Sequence, residues 1–487
     1  DAVDATGIRT FCGIGAGGSY DMMMDRAIAG ANTGLVNPKG LVHIPSVNAY
    51  VAADVGSTSL RVFGANAAGD VAPMAVSTLT NSAWDLAYDA ASDRAYLALT
   101  NGTIGVIDGY VAGDFDGALD RTITPADSAG ASIGTNIHGI AYDHATDTLV
   151  VTDVGAANAA ASADFASDGS IYVFTGASMA DGSVEPARVI EGLATMLGNP
   201  VDLELDGADA RIAEKAGGQL LVFRDVMHGD SGDIAPDYAV ASSAPESLTR
   251  VPMPSTMLNP TDIVDPYTPL LGVMVTQNPA AGSAESGQLM RVSTNLASGM
   301  VAFDSTVDSA ENVTFGTDGT GWITWDDNAG TGGIAIIGNM AGRGGEAFDA
   351  TQDRWITGPE TGLVSPKGIE VVDSLDLVLV ADFGTDAATS AVRVYSACAN
   401  GDVAPLAEVD LGGARIWDLD HDLWTDTLYT ALTNGNVGVY ENFSMDLGAG
   451  GPDRLITPAV AGVQASVNLH SVRYDHASDT LILADVG

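Results

Sequence analysis

The chain is poor in three things. Of its 487 residues only 19 are Lys or Arg against 63 Asp or Glu, two are cysteine, and 6% are aromatic. Each scarcity excludes something. Nucleic acid is held by basic side chains that displace counterions from phosphates, and a net charge of −44 with no basic cluster offers no such surface. Anionic membrane surfaces are disfavoured on the same ground. No apolar run approaches the roughly 18 residues of a spanning helix, so no membrane insertion is expected. Cys12 and Cys398 resemble neither a disulfide framework nor a zinc site. Each follows a predicted third strand in a different repeat, so distance argues against an internal bridge. Free thiols or a bridge between molecules are the remaining expectations.

Carboxylate and glycine are what the chain has in quantity, with 58 Gly. Excess carboxylate keeps a protein soluble and attracts cations, so calcium or another divalent cation is a candidate ligand; adaptation to a salty medium is the alternative. The sequence opens at Asp1 without Met or a signal-like stretch. The expectation is a processed mature chain, secreted or at the cell surface, with a fragment as the other reading.

The chain repeats itself. The stretch from Asp25 to Pro73 returns from Asp353 to Pro405, and both read as four short strands bounded by Gly, Asn or Asp turns. In the first copy these are GLVHI from Gly40, AYVAADVG from Ala49, LRVFG from Leu60 and VAPMAVSTL from Val71. Four strands in series form one blade, which must stack on neighbours to bury both faces. A second blade runs from Trp84, a third from His138 with a long Ala- and Asp-rich loop at about Ala156 to Gly169, and a drifted fourth from Val201. Fainter fifth and sixth blades retain LLGVMVTQ with QLMRVST, and GWITWDD with IAIIG. Then the opening trio returns, with Lys39, Trp84 and His138 answered by Lys367, Trp417 and His470, six blades on.

The ends fit together on paper. The last blade stops after two strands at Gly487, and the chain starts with two strands, GIRTFCG and MMMDRAIAG, that lack a first half. The expected fold is therefore an all-β propeller of nine four-stranded blades in one domain, 1–487. Residues 1–30 would complete the last blade, 31–465 would hold eight full blades, and 466–487 the first half of the ninth. A fragment of a longer array is a second reading. In a third, the N-terminal strands complete the open blade of a neighbouring molecule, giving a head-to-tail polymer.

These blades resemble NHL-repeat β-propellers, in particular a bacterial extracellular type. The resemblance rests on Asn37-Pro38-Lys39-Gly40, Ala53-Asp54-Val55-Gly56 and Leu60-Arg61-Val62-Phe63, repeated at Ser365–Gly368, Ala381–Gly384 and Val392–Tyr395. The Gly-Asp-Val-Ala-Pro element at Gly69–Pro73 and Gly401–Pro405, with Ile at Gly232–Pro236, adds to it. The likeness implies a fold more than an activity. RNA-binding relatives use basic faces, which are missing here. Peptide-amidating lyases place zinc-binding His where His138 and His470 stand, yet only two blades carry one. The carboxylate- and amide-held divalent ion of the related lactonases is the comparison that fits best.

Three constellations carry candidate chemistry. The residues just before each inner strand are Lys39, Trp84, His138, Val201, Thr261, Val313, Lys367, Trp417 and His470. Two Lys-Trp-His sets on a channel rim suit an anionic, glycan or protein ligand; the plainer alternative is Trp packing on the next blade. Along the inner strands, one face holds Asp85, Asp202, Glu204, Asp262, Glu370, Asp418 and Asp420, with Arg473 as the lone cation. Of these, Asp202, Glu204, Glu370, Asp418 and Asp420 are the candidate metal ligands; the alternative is that they accept backbone N–H bonds between blades. The YDHATD, YDHASD and YDAASD segments read as hairpin turns. No nucleophile elbow, phosphate loop or zinc-protease motif is present. The reading that follows is a secreted acidic propeller acting as a surface, binding or structural subunit, self-associating or polymeric. The alternative is a metal-dependent hydrolase or lyase, lactonase-like, at the channel mouth.

Overall fold

The computed structural model describes residues 6–12, 20–21, 23–156, 168–243, 245–248, 310–327, 330–340, 348–476 and 478–487, and the backbone of Val273–Gln277, Gln288–Val292 and Ser298–Gly299. The chain is all-β, built of antiparallel sheets whose strands follow chain order. Among the described residues seven blades have all four strands. The first is Pro38–Ile44, Ala49–Asp54, Ser59–Gly64 and Ala75–Thr78, and the inner strands of the next three are Ala83–Asp89, Ile137–Asp143 and Pro200–Asp206. The sixth, seventh and eighth start at Ala310–Phe315, Pro366–Val372 and Ile416–Asp422. The fifth shows three strands, and the ninth two, Leu469–Asp475 and Thr480–Asp485.

Turn chemistry sets each hairpin. Asp93, Asp147, Asp426 and Asp479 adopt φ of 51°, 51°, 50° and 49°, a left-handed conformation that Asp tolerates. The hydroxyls of Tyr88, Tyr142 and Tyr474 each donate to the Asp five residues on, at 2.9 Å. Asp93 and Asp147 also accept the backbone N–H groups of Val111 and Ser178, tying the hairpin to the loop after the third strand. The expected turn reading of these motifs therefore describes them, and each Asp fastens two loops.

Consecutive blades meet in a seam that recurs down the chain. The third residue of one blade's second strand shares a buried cluster with the fourth residue of the next inner strand. The pairs are Val51 with Leu86, Tyr96 with Ile140, Val150 with Leu203, Leu379 with Leu419, and Tyr429 with Val472. Glycine lets the inner strands approach. A Cβ on Gly40 would lie 2.6 Å from Asp85 Cα, and one on Gly368 would lie 2.8 Å from Asp418 Cα. At the outer edge, the Gly-Asp-Val-Ala-Pro element bridges in parallel to the preceding blade's last strand, as Ile190 to Gly232 and Ile356 to Gly401. In the second blade the strand Gly182–Val184 takes that place beside Arg121–Pro125.

Two compact units result. One comprises Gly30–Phe63 and Ala72–Pro252 and holds most of the first four blades. The other comprises Asp1–Ala29, Gly64–Val71 and Met253–Gly487 and holds the later ones.

Two sequence expectations bear on the N-terminus. Gly7–Thr10 pairs with Arg26–Ala29, and the ninth half-blade pairs within itself, as two separate two-stranded sheets, so no closed sheet forms. The N-terminal pair has further anchors of its own. Ala29 N–H donates to Gly69 O at 3.0 Å, Gly69 N–H donates to Ala27 O at 2.7 Å, and Ser396 Oγ donates to Met24 O at 2.7 Å. Cys12 and Cys398 are also not free: they form a disulfide with their Cα atoms 6.1 Å apart. Sequence reasoning placed them in distant repeats and had no means of seeing the N-terminal pair fold back onto the seventh blade.

Thiol titration of the denatured chain should accordingly find no reactive thiol before reduction and two afterwards, whereas Cys12→Ser should show one without reductant. Gly368→Val should cost about 1–3 kcal/mol by overpacking the seam, read from denaturant unfolding. Unchanged stability would mean that the blades are not in the close contact described.

Candidate functional site

The two Lys-Trp-His sets come together, each within its own unit. Trp84 and His138 stack with ring centroids 3.7 Å apart and planes 8° from parallel, and Lys39 Nζ sits 4.8 Å above the Trp84 ring. Lys39 is held by Glu246 at 2.7 Å, a carboxylate that also pairs with Lys215. Trp417 and His470 repeat the stack at 3.8 Å and 11°, with Lys367 Nζ 5.6 Å from the indole. Lys367 pairs with Glu311 and Asp326, each at 2.9 Å. Each indole thus has a cation and an imidazole against it, from the preceding and the following blade. The side chains expected to offer a ligand platform thus pack between blades. Glu311 rather than Val313 occupies the rim position of the sixth blade, because the inner strand starts three residues before Val313. Thr261 and Asp262 lie outside the described residues, as does 157–167 of the third-blade loop.

Desolvation drives the His138 imidazole down to about 3, so it stays neutral in the stack, and His470 is lowered for the same reason. Glu246 moves the other way. Desolvation would raise it, but hydrogen bonds from Lys215 and Lys39 hold it below the usual range.

The inner-strand carboxylates reach across the seam. Glu370 accepts the His421 N–H at 2.7 Å, and Asp420 accepts the Tyr474 N–H at 2.7 Å. Asp418 accepts from Ser471 Oγ at 3.0 Å, from the Val472 N–H, and from Arg473 at 3.1 Å. Asp202 accepts Ser247 Oγ at 2.6 Å and the Leu248 N–H at 2.7 Å. Asp85 accepts the N–H groups of Leu86 and Ile140. Asp85, Asp202, Glu370, Asp418 and Asp420 thus accept backbone N–H groups, the alternative of the sequence reading. Desolvation raises Asp202, Asp418 and Asp420. It lifts Asp85 well above the normal range, helped by Asp202 nearby, and lifts Glu370 to about 8, helped by Asp420. Among the described residues no group of three or more His, Cys, Asp or Glu is arranged to hold a metal ion. Asp202 and Glu204 belong to one unit, and Glu370, Asp418 and Asp420 to the other.

A cavity of about 630 Å³ lies along the inner strands of the first four blades. Lys39, Trp84, Asp85, Asp202, Glu204 and Glu246 are among its lining residues. Sequence reading missed Glu246, which lies outside any strand and carries no motif. It also took His144 and His476 for plain turn residues. His144 Nδ1 is 3.0 Å from Asp89 and His476 Nδ1 3.1 Å from Asp422, in each case bridging to the preceding blade's hairpin. The recurrence of His at that one turn position was the available signal.

No protein-family model matches the chain, and no curated protein matches it. Among solved structures, the Dos1 propeller aligns over 94% of both chains at 11% identity with a TM-score of 0.31.

Two titrations follow. His138 should keep its neutral NMR signature from pH 8 down to about 4, while an unfolded-state histidine titrates near 6.5; stability linked to it is lost as pH falls below 6.5. Glu370 has the opposite sense. Its folded form keeps a proton that the unfolded chain releases near 4.5, so its contribution to stability declines as pH rises from 4.5 towards 8. Glu370→Gln should flatten that decline and melt higher than wild type at pH 9; an equal or lower melting point would contradict the protonated carboxyl.

Proposed function

We propose that this protein is an acidic β-propeller, secreted or displayed at the cell surface, that serves as a structural or binding subunit and associates with itself head to tail. One observation carries the reading: the side chains that would do chemistry are spent on holding blade to blade. Both indole stacks and the described carboxylates Asp85, Glu370, Asp418 and Asp420 bond into the neighbouring blade. A chain that commits its polar inner strands to joints is equipped to be a building element. The Cys12–Cys398 disulfide supports an oxidising compartment. A net charge of −44 supports a subunit kept apart by repulsion until cations screen it.

Light scattering on the purified chain should show mass increasing with protein concentration. The increase should be steeper at about 0.5 M salt, where the screening length falls to a few ångströms, than in dilute buffer. A single-chain mass under both conditions would remove the assembly reading.

A further inference from the structure

We propose that Trp424 and the turn that carries it form a docking platform for the arginine side chains of a basic protein partner. This gives the binding role above its partner chemistry and rests on that role, not on self-association.

The repeat shows that the fold does not need the indole. The turn between the inner and second strands recurs at 89–93, 143–147, 422–426 and 475–479. Its third residue is Ala91, Ala145 and Ala477 in three blades, and Trp424 in the eighth. Alanine and tryptophan fit the same turn. The Ala91 N–H donates to Asp89 at 3.1 Å, with Ser92 Oγ on the same carboxylate. The Trp424 N–H donates to Asp422 at 3.2 Å, with Thr425 Oγ1 on that carboxylate. The histidine of the next blade arrives alike in both, His144 at 3.0 Å from Asp89 and His476 at 3.1 Å from Asp422. A methyl group is all the turn asks for, so the indole is surplus to packing.

The surplus ring is open to solvent. Of the six tryptophans only Trp424 is exposed, at 42%, and Leu423 beside it is exposed to the same degree. The ring is also held in place. It stacks on His476 with centroids 5.5 Å apart and planes 25° from parallel, and Asp422 pins that imidazole. A fixed, half-open aromatic loses little freedom on binding, which is the property of an interface anchor.

Charge selects the occupant. The two turns that meet here carry Asp422, Asp426, Asp475 and Asp479 and neither Lys nor Arg, in a chain of net charge −44. Such a field draws a cation in, and the π face of a tryptophan receives it. Guanidinium suits the ring better than ammonium does, because it is planar, weakly hydrated and stacks on aromatic faces. A neutral sugar would meet the ring but gain nothing from the carboxylates. A second copy brings few cations, with 19 Lys and Arg in 487 residues, and the same repelling charge.

The test is fluorescence anisotropy of a rhodamine-labelled peptide of alternating arginine and glycine. Trp424→Ala is the variant, since Ala is the repeat's own residue there, and its melting curve should match wild type. It should bind the peptide about two- to five-fold more weakly, the factor an exposed cation–π contact supplies, with Trp424→Phe in between. Net charge is the same in all three proteins, so general attraction to an acidic surface would leave their affinities equal. Equal affinity for wild type and Trp424→Ala overturns the platform and leaves the binding role standing. A chito-oligosaccharide that binds through Trp424 while the arginine peptide does not overturns the basic partner. A peptide that binds none of the three does so too, whatever light scattering shows of self-association.

Discussion

The seam between consecutive blades is the constraint on which the rest of the structure depends. A lone four-stranded sheet of this composition has two faces to bury and only short, Val- and Ala-rich strands with which to do it. At five places one blade contributes an apolar residue from its second strand and the next blade one from its inner strand, from Val51 with Leu86 to Tyr429 with Val472. Glycine at Gly40 and Gly368 removes the Cβ that would hold the inner strands apart. Stability of this kind adds up from neighbour to neighbour, as the sum of each blade's own contribution and its interfaces.

Polar groups brought into such a seam must find partners. The inner-strand carboxylates do so by accepting N–H groups from the next blade, and desolvation keeps several of them protonated more readily than free carboxylates. This arrangement explains how a chain with 63 acidic residues tolerates rows of them facing inward. The Lys-Trp-His stacks do the same at the rim, where a neutral imidazole and a cation both lie against one indole. Residue types that suggest a binding platform or a metal cage when read in sequence also make contacts between neighbouring blades.

Much of this was legible in the residues. Strand lengths, turn positions and the four-strand repeat follow from local alternation and from Gly and Asp punctuation, which act over a few residues. The turn reading of Asp93 and Asp147 held because the left-handed conformation and the Tyr hydroxyl partner are both local. The site was legible only as types. Repeat position placed Lys39, Trp84 and His138 near one another, but that Lys39 is clasped by Glu246, 207 residues on, is not a pattern a repeat can announce.

What the sequence determined by itself is the blade: its four strands, its hairpins, its apolar alternation and the spacing that brings Lys, Trp and His to equivalent positions. Tertiary structure alone decided how the blades meet and where the chain ends go. It joined Cys12 to Cys398 across 386 residues and paired the first two strands, like the last two, with each other. It also turned inward carboxylates into hydrogen-bond acceptors. The physical reason is range: turn and strand preferences are settled within a handful of residues, whereas pairing of distant segments depends on which surfaces remain uncovered after the local units have formed.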